Sequence, residues 1–178
     1  MVTNKAVFFD RDGVLNHAVV RNGKPFPPSH MTDFIIYDDA LYCTTQLKRN
    51  GFNIFVVTNQ PDVKSGLQTF EIMQAMNDLL QKELPIDHIQ VCFDKESPFY
   101  KPEPGMLLTI ARNYMIDLRA SYMVGDRWRD VGAGKRAGCR KTILLDREYH
   151  EDLSYEPDHI CKTLTEVCDY ILNDSKRV

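Results

Sequence analysis

Acidic side chains follow the ends of two short apolar segments of this sequence. Asp10 and Asp12 come directly after one segment, and Asp126 and Asp130 follow another. Carboxylates that converge in a small space repel one another, and each raises the pKa of the others unless a cation compensates. Oxygen ligands favour a hard ion, and Mg²⁺ suits a site that also binds phosphate. The pattern therefore predicts a divalent-metal site, provided that the fold brings the two segments together.

Five apolar segments predict buried strands, and segments typical of helices alternate with them. The predicted strands cover 5–10, 52–57, 90–93, 122–124 and 142–145. Two predicted helices cover about 39–50 and 70–84. A third begins near Pro104, a fourth ends at Ala137, and the last follows a capping box formed by Thr163 and Glu166. This alternation predicts an α/β, Rossmann-like fold, in which a parallel sheet has helices on both faces. The strand order that we expect is 3-2-1-4-5.

The predicted sheet places the polar residues at one edge. In an open parallel sheet the carboxyl ends of the strands share an edge, and ligands bind there beside the switch point of the topology. The order 3-2-1-4-5 puts Thr58 and Asp126 on the strands that flank Asp10. Residues 16–34 contain three prolines and predict a long irregular loop above this edge. Loops of this length in compact domains are commonly functional.

The bulk composition is that of one globular domain spanning residues 1–178. A net charge of −3 gives no general attraction to nucleic acid. No apolar run approaches the roughly 20 residues that cross a bilayer, and residues 1–6 show no secretory signal. Five scattered cysteines are typical of reduced thiols. We therefore expect a cytoplasmic protein with no nucleic-acid or membrane partner and, by default, a monomer.

Four segments of the sequence resemble, in order, the four motifs of haloacid-dehalogenase-type phosphatases. They are Phe8–Asn16, Val56–Gln60, Lys101-Pro102, and Met123–Arg127 with Asp130. The stretch from Lys101 to Leu108 is similar to one subgroup without a large cap domain, the D-glycero-D-manno-heptose 1,7-bisphosphate 7-phosphatases, which are relatives of the histidinol-phosphate phosphatases. The resemblance covers nearly the whole chain.

The resemblance implies a role for each motif residue. Asp10 would be the nucleophile, and Asp12 the general acid and base, with its backbone carbonyl as a metal ligand. Thr58 and Lys101 would hold the phosphoryl oxygens. Mg²⁺ would be bound by Asp10, Asp12 and Asp126, with Asp130 as a further candidate. The candidate substrate-binding residues are Arg11, Arg21, Asn59, Gln60, Tyr100 and Arg127.

Two features depart from the subgroup. Many of its members carry a four-ligand zinc loop, of which only Cys92 is present here, and one thiolate cannot build such a site. We therefore expect no zinc. Tyr100 stands where those relatives have an arginine, and tyrosine cannot supply a charged, bidentate contact to phosphate. The candidate replacements for that cation are Arg21, Lys24, Lys64 and Arg127.

The resemblance implies an Mg²⁺-dependent phosphatase. It would remove the 7-phosphate of D-glycero-D-manno-heptose 1,7-bisphosphate through an aspartyl phosphate, in the synthesis of nucleotide-activated heptose for a surface polysaccharide. The alternatives are a phosphatase of another small phosphomonoester, such as histidinol phosphate, and a non-catalytic ligand-binding pseudoenzyme. The acidic charge disfavours a nucleic-acid phosphatase.

Individual residues also have simpler interpretations. The segment Asp10–Gly13 could be a turn or part of a Ca²⁺ loop, although Val14 replaces the next ligand of an EF-hand. Asp130 could be a first-turn acidic residue that the helix dipole favours, and Arg127 could be ordinary surface charge.

Overall fold

A six-stranded parallel sheet forms the centre of the computed structural model, which describes residues 4–176. The sheet has the order β5-β4-β1-β6-β7-β8, and every pair of neighbours is parallel. A separate antiparallel hairpin is formed by β2 and β3. The strands are β1 Lys5–Phe9, β2 Val19–Arg21, β3 Lys24–Phe26, β4 Phe52–Asn59, β5 His88–Cys92, β6 Tyr122–Gly125, β7 Lys141–Leu145 and β8 His159–Cys161.

Helices cover both faces of the sheet. They are α1 Ala40–Arg49, α2 Pro61–Ser65, α3 Phe70–Glu83, α4 Gly105–Tyr114, α5 Trp128–Ala137 and α6 Leu164–Ser175. The apolar residues of α1, α3 and α6 share one buried cluster, and those of α4 and α5 share another. Within residues 4–176, no helix has both the length and the apolar character that crossing a membrane requires.

The central strand β1 is buried on both faces because its side chains alternate between the two cores. Val7 and Phe9 belong to the cluster of α1, α3 and α6, whereas Ala6 and Phe8 belong to the cluster of α4 and α5. This is the period of two that a strand imposes on its side chains. A continuous apolar run is therefore required here, and the run ends where the chain reaches the edge of the sheet.

The predicted fold class and strand order are confirmed, since the five predicted strands occur as β5-β4-β1-β6-β7. The sequence interpretation missed the edge strand β8 and the short helix α2. The prediction of an irregular loop over 16–34 was wrong in part, because this segment contains the β2–β3 hairpin and a 3-10 turn at Met31–Asp33. The hairpin and the 3-10 turn both lie between β1 and α1. The predicted single domain spans residues 1–178 and therefore extends beyond the described residues. The N-terminal residues 1–3, which entered the prediction of no secretory signal, also lie outside them.

Helix α5 lies against the sheet through Gly134. A Cβ atom at Gly134 would lie 2.6 Å from the Cβ of Met123 on β6 and 2.7 Å from the Cγ2 of Thr142 on β7. Both strands therefore approach the helix closely. The close packing holds α5 against β6, and only two residues separate the end of β6 from the start of α5.

We predict that Gly134→Ala destabilises the protein. Alanine in a helix interior is normally more favourable than glycine by about 1 kcal/mol. Here the added methyl group would overpack the interface, and we expect the free energy of unfolding to fall by about 1–3 kcal/mol. Chemical denaturation measures the change. Arg136→Ala, on the exposed side of the same helix, is the control, and we expect it to change stability by less than about 0.5 kcal/mol. Equal or higher stability of Gly134→Ala would contradict the packing argument.

Candidate active site

Residues from four segments converge at the carboxyl edge of the sheet. Asp10 follows β1, Asp126 follows the neighbouring strand β6, and Thr58 lies near the end of β4 on the other side. The N–H of Asp10 donates to the carbonyl of Val124 at 2.9 Å, which fixes the chain as it leaves β1. Together with Lys101, these side chains line one cavity of about 420 Å³.

Lys101 is a buried cation between two carboxylates. Its Nζ lies 2.9 Å from Oδ1 of Asp10 and 2.6 Å from Oδ1 of Asp130, and it donates to the carbonyl of Val57 at 2.7 Å. Burial lowers the pKa of Lys101, but Asp10 and Asp130 outweigh that effect and raise the pKa above its ordinary value. The ammonium group is therefore charged at neutral pH and all three of its N–H donors have partners.

Asn59 holds the loop that carries Lys101. The side-chain Nδ2 of Asn59 donates to the carbonyl of Lys101, the backbone N–H of Lys101 donates to Oδ1 of Asn59, and both distances are 3.1 Å. An amide is suited to this task because it offers a donor and an acceptor to the same peptide group. The two bonds fix the β5–α4 loop to the end of β4.

Asp12 is held by three side chains that donate to its carboxylate. Arg11 donates from Nε at 3.2 Å and from Nη2 at 3.0 Å, Gln60 donates at 2.6 Å, and Asn16 donates at 2.9 Å. Gln60 also donates to Oγ1 of Thr58 at 2.9 Å. These bonds hold the Asp12 carboxylate, which lines the cavity, in one orientation.

The positions of Arg11 and Gln60 correct their sequence-based assignment to substrate binding. Both residues have 0% relative exposure, and Arg11 donates its Nη1 to Asn77 on α3 at 2.9 Å. Neither side chain lines the cavity. A substrate in the cavity would meet Asp12 instead, because Arg11 and Gln60 are bonded to that carboxylate.

The other candidate substrate-binding residues fall into two groups. Asn59, Tyr100 and Arg127 line the cavity. Arg21 lies on β2 and does not line the cavity, although its guanidinium carbon lies 5.7 Å from the centre of the Phe26 ring, which does. Burial raises the pKa of Tyr100, so its hydroxyl remains a neutral donor near pH 7.

Three carboxylates form a group that fits a metal ion. Asp10, Asp126 and Asp130 each offer an oxygen, and these oxygens lie within 4.8 Å of one another. Both oxygens of Asp126 are buried, and among the described residues the neutral hydroxyl of Tyr149 lies beside this carboxylate but no cation is paired with it. A buried carboxylate is costly unless a cation compensates its charge. The donor set is oxygen only, which suits a hard divalent ion. The side chain of Asp12 is not part of this group.

The electrostatics of the group agree with this interpretation. Burial, followed by repulsion from Asp10 and Asp130, raises the pKa of Asp126 well above its ordinary range. Burial also raises the pKa of Asp10 to about 6, although Lys101 opposes the shift. The backbone leaves little room at this point, because a Cβ atom at Gly13 would collide with the Asp126 carboxylate. Gly13 also has φ of 83°, which favours glycine.

The segment between β7 and β8 packs against residues around the site without lining the cavity, and sequence analysis did not identify it. Arg147 donates to the carbonyl of Gly13 at 2.9 Å, and the backbone N–H of His150 donates to the carbonyl of Gly23 in the hairpin at 3.1 Å. Glu151 accepts a bidentate pair of bonds from Arg127. The segment has neither helical nor strand periodicity, so no sequence pattern indicated that it returns to the site.

Cys92 is the cysteine that corresponds to the zinc loop of the related phosphatases. It is buried, and its Sγ lies 3.5 Å from the carbonyl oxygen of Asp94. The absence of zinc stays a prediction from the sequence.

Comparison with known proteins gives concordant matches. The family model described as HAD-hydrolase-like matches residues 99–167. A D-glycero-alpha-D-manno-heptose-1,7-bisphosphate 7-phosphatase of Burkholderia mallei is 33% identical over 161 residues, which cover 82% of each chain. A D-glycero-beta-D-manno-heptose-1,7-bisphosphate 7-phosphatase of Escherichia coli K12 is 34% identical over 158 residues, which cover 79% of this chain and 78% of the relative.

A solved structure extends the similarity over nearly the whole chain. The D,D-heptose 1,7-bisphosphate phosphatase from B. bronchiseptica, complexed with magnesium and phosphate, has a TM-score of 0.80 and 26% sequence identity, and the match covers 97% of this chain and 99% of that one. The chain therefore belongs to the haloacid-dehalogenase-like hydrolases, in the group that contains the heptose-bisphosphate phosphatases. This membership confirms the resemblance that the four motifs indicated.

We predict that Asp126→Asn stabilises the metal-free protein. A raised carboxylate pKa means that the ionised form costs stability, and that this cost is present above the folded-state pKa and lost as the pH falls below it. In a chelator at about pH 8 we expect the variant to gain about 0.5–2 kcal/mol in free energy of unfolding. The gain should shrink at lower pH. Added Mg²⁺ should raise the melting temperature of the parent protein and not that of the variant. A variant that is less stable in chelator, or stabilised equally by Mg²⁺, would contradict the metal assignment.

Proposed function

We propose that this protein is a phosphomonoester hydrolase that removes the 7-phosphate of D-glycero-D-manno-heptose 1,7-bisphosphate by way of a phosphoryl group on Asp10. The observation that carries the proposal is the position of Asp10, which lies in the cavity, ion-paired to Lys101 and close to two further carboxylates. The relatives named above, which are heptose-bisphosphate phosphatases, support the choice of substrate.

Mg²⁺ is the proposed cofactor, and Asp10, Asp126 and Asp130 would hold it. When bound, the ion offsets the charge of these carboxylates and of the phosphoryl oxygens. The backbone carbonyl of Asp12 is a further proposed ligand, on the strength of the motif resemblance. The magnesium in the similar solved structure supports the choice of ion.

One carboxylate oxygen of Asp10 is free to attack phosphorus. Its Oδ1 accepts from the backbone N–H of Arg11 at 2.7 Å and faces Lys101, whereas Oδ2 has no hydrogen-bond partner among residues 4–176. In the first step an oxygen of Asp10 forms a bond to phosphorus, and the bond from phosphorus to the sugar oxygen breaks. Lys101 keeps Asp10 ionised, which an attacking carboxylate requires.

Asp12 moves the proton in both steps. It enters the first step protonated and gives that proton to the departing sugar oxygen. It then accepts a proton from the water that attacks phosphorus, as the bond from Asp10 to phosphorus breaks and inorganic phosphate is released. Arg11, Gln60 and Asn16 act as positioning residues, because their hydrogen bonds set the orientation of the Asp12 carboxylate. This replaces the substrate-binding role that the sequence suggested for Arg11 and Gln60.

Thr58 would bind a phosphoryl oxygen, and Lys101 would act on the phosphoryl group through its charge, because its three N–H donors already have partners. Thr58 accepts a hydrogen bond from Gln60 through Oγ1, which leaves its hydroxyl hydrogen available for a phosphoryl oxygen. Lys101 places a positive charge beside Asp10, where negative charge gathers during the transfer. Both residues line the same cavity as Asp10 and Asp12.

We further propose that the chain is a single domain, acts in the cytoplasm on a small phosphorylated sugar, and serves the synthesis of nucleotide-activated heptose. The monomeric state and the absence of nucleic-acid and membrane partners remain predictions from the sequence.

We predict that Asp10→Asn lowers kcat by several orders of magnitude and leaves the fold intact, because the amide keeps the shape of the side chain and lacks the nucleophilic charge. Phosphate release under saturating Mg²⁺ measures the loss, and circular dichroism reports the fold. Asp62→Asn makes the same change at another carboxylate of the cavity, and we expect it to keep activity within about tenfold. Substantial turnover by Asp10→Asn would contradict the proposed nucleophile.

Substrate profiling tests the proposed substrate separately from the mechanism. We expect kcat/KM for one anomer of D-glycero-D-manno-heptose 1,7-bisphosphate to exceed that for histidinol phosphate and common sugar monophosphates by about 10²-fold or more. A chelator should abolish the activity and Mg²⁺ should restore it. Preference for another phosphomonoester would retain the mechanism and overturn the substrate. Inactivity on every phosphoester, with tight binding of one of them, would favour a pseudoenzyme.

A further inference from the structure

The positive charges that line the cavity differ in how far they are already neutralised. Lys101 is ion-paired to Asp10 and Asp130, and Arg127 forms a bidentate pair with Glu151. Neither cation has its full charge available for a second anionic group of a substrate. The sequence suggested Arg127 as the residue that binds this second group, but Glu151 neutralises much of the Arg127 charge.

Arg129 also lines the cavity, and within residues 4–176 it makes no ion pair with any carboxylate. Its guanidinium carbon lies 5.2 Å from the centre of the Trp128 ring and 6.0 Å from the centre of the Tyr100 ring. Aromatic faces attract a guanidinium and restrict its conformation. Arg129 is half-buried and oriented by two rings, and its charge is not offset by a partner.

Lys95 is the other cation of the cavity without an ion pair among the described residues, and it is less suited to the task. Its side chain is exposed, and a lysine offers a single ammonium group rather than a planar set of donors. It also borders a neighbouring groove together with Asp62, a carboxylate that shares both linings with it. A nearby carboxylate reduces the attraction of the ammonium for an anion.

We propose that Arg129 binds the phosphate group of the substrate that is not transferred, and thereby sets the preference for a bisphosphate over a monophosphate. The planar guanidinium offers paired N–H donors that match a phosphate group. Tyr100, which stands where related enzymes have an arginine, provides a ring against which Arg129 lies. The charge missing at position 100 is then supplied from the first turn of α5. This proposal rests on the proposed function.

The test compares substrates that differ by one phosphate. For the parent protein and for Arg129→Met, kcat/KM is measured with heptose 1,7-bisphosphate and with heptose 7-phosphate. We expect the variant to lose about 10–100-fold on the bisphosphate through KM, and to keep its kcat and its activity on the monophosphate. Arg129→Lys should recover part of the loss, since it keeps the charge without the planar donors. Arg136→Met, on the same helix but paired to Glu103 outside the cavity lining, is the matched control and should change neither value.

A second readout separates this proposal from the proposed substrate. Fructose 1,6-bisphosphate and fructose 6-phosphate are compared as inhibitors of p-nitrophenyl phosphate hydrolysis. Stronger inhibition by the bisphosphate that disappears in Arg129→Met would support the anion site, even if heptose bisphosphate proved not to be the substrate. Equal inhibition by both sugars in the parent protein, or a bisphosphate preference in either assay that survives Arg129→Met, would overturn the proposal. A loss that affects both heptose phosphates equally would also overturn it, because it would indicate a structural effect on the neighbouring Asp130.

Discussion

The buried ammonium group of Lys101 is the interaction on which the site depends. It joins the end of β1 through Asp10, the start of α5 through Asp130, and β4 through the carbonyl of Val57. Three elements that are distant in the sequence are thus tied to one cation. Without it, only the proposed metal ion would offset the charge of the three clustered carboxylates, and the cost of burying them would rise. The same cation stands beside the group that we propose attacks phosphorus.

Close backbone approach is the second constraint, and it explains where the glycines lie. A Cβ atom at Gly125 would collide with Asp130, so β6 must end in a glycine for α5 to begin so near it. Gly13 meets the Asp126 carboxylate in the same way. Because of this proximity, Asp130 makes two contacts at once. Its Oδ1 faces Lys101, and its Oδ2 accepts a hydrogen bond from the backbone N–H of Arg127. The helix cap and the site therefore share one carboxylate, which joins the two interpretations of Asp130 that the sequence left open.

The parts of this arrangement that sequence analysis could predict follow from strand ends. Strand segments alternating with helices predicted the parallel sheet, and the expected order 3-2-1-4-5 placed Thr58, Asp10 and Asp126 together. The burial of Arg11 could not be predicted in the same way, because it depends on Asn77, which lies 66 residues further along the chain. The strand β8 was missed because it is a three-residue edge strand, too short to show a period. Glu151 was missed because the segment between β7 and β8 reaches the site through single contacts rather than through a repeating pattern.

The most direct test of the account is to look for the phosphoryl group on Asp10. The protein with Mg²⁺ is mixed with heptose 1,7-bisphosphate, quenched in acid during the first turnovers, and digested, and the peptides are analysed by mass spectrometry. The account predicts that the peptide containing Asp10 gains the mass of one phosphoryl group before free phosphate accumulates, and that Asp10→Asn shows no such species. Release of phosphate in the first turnover with Asp10 unmodified at every time point would contradict it.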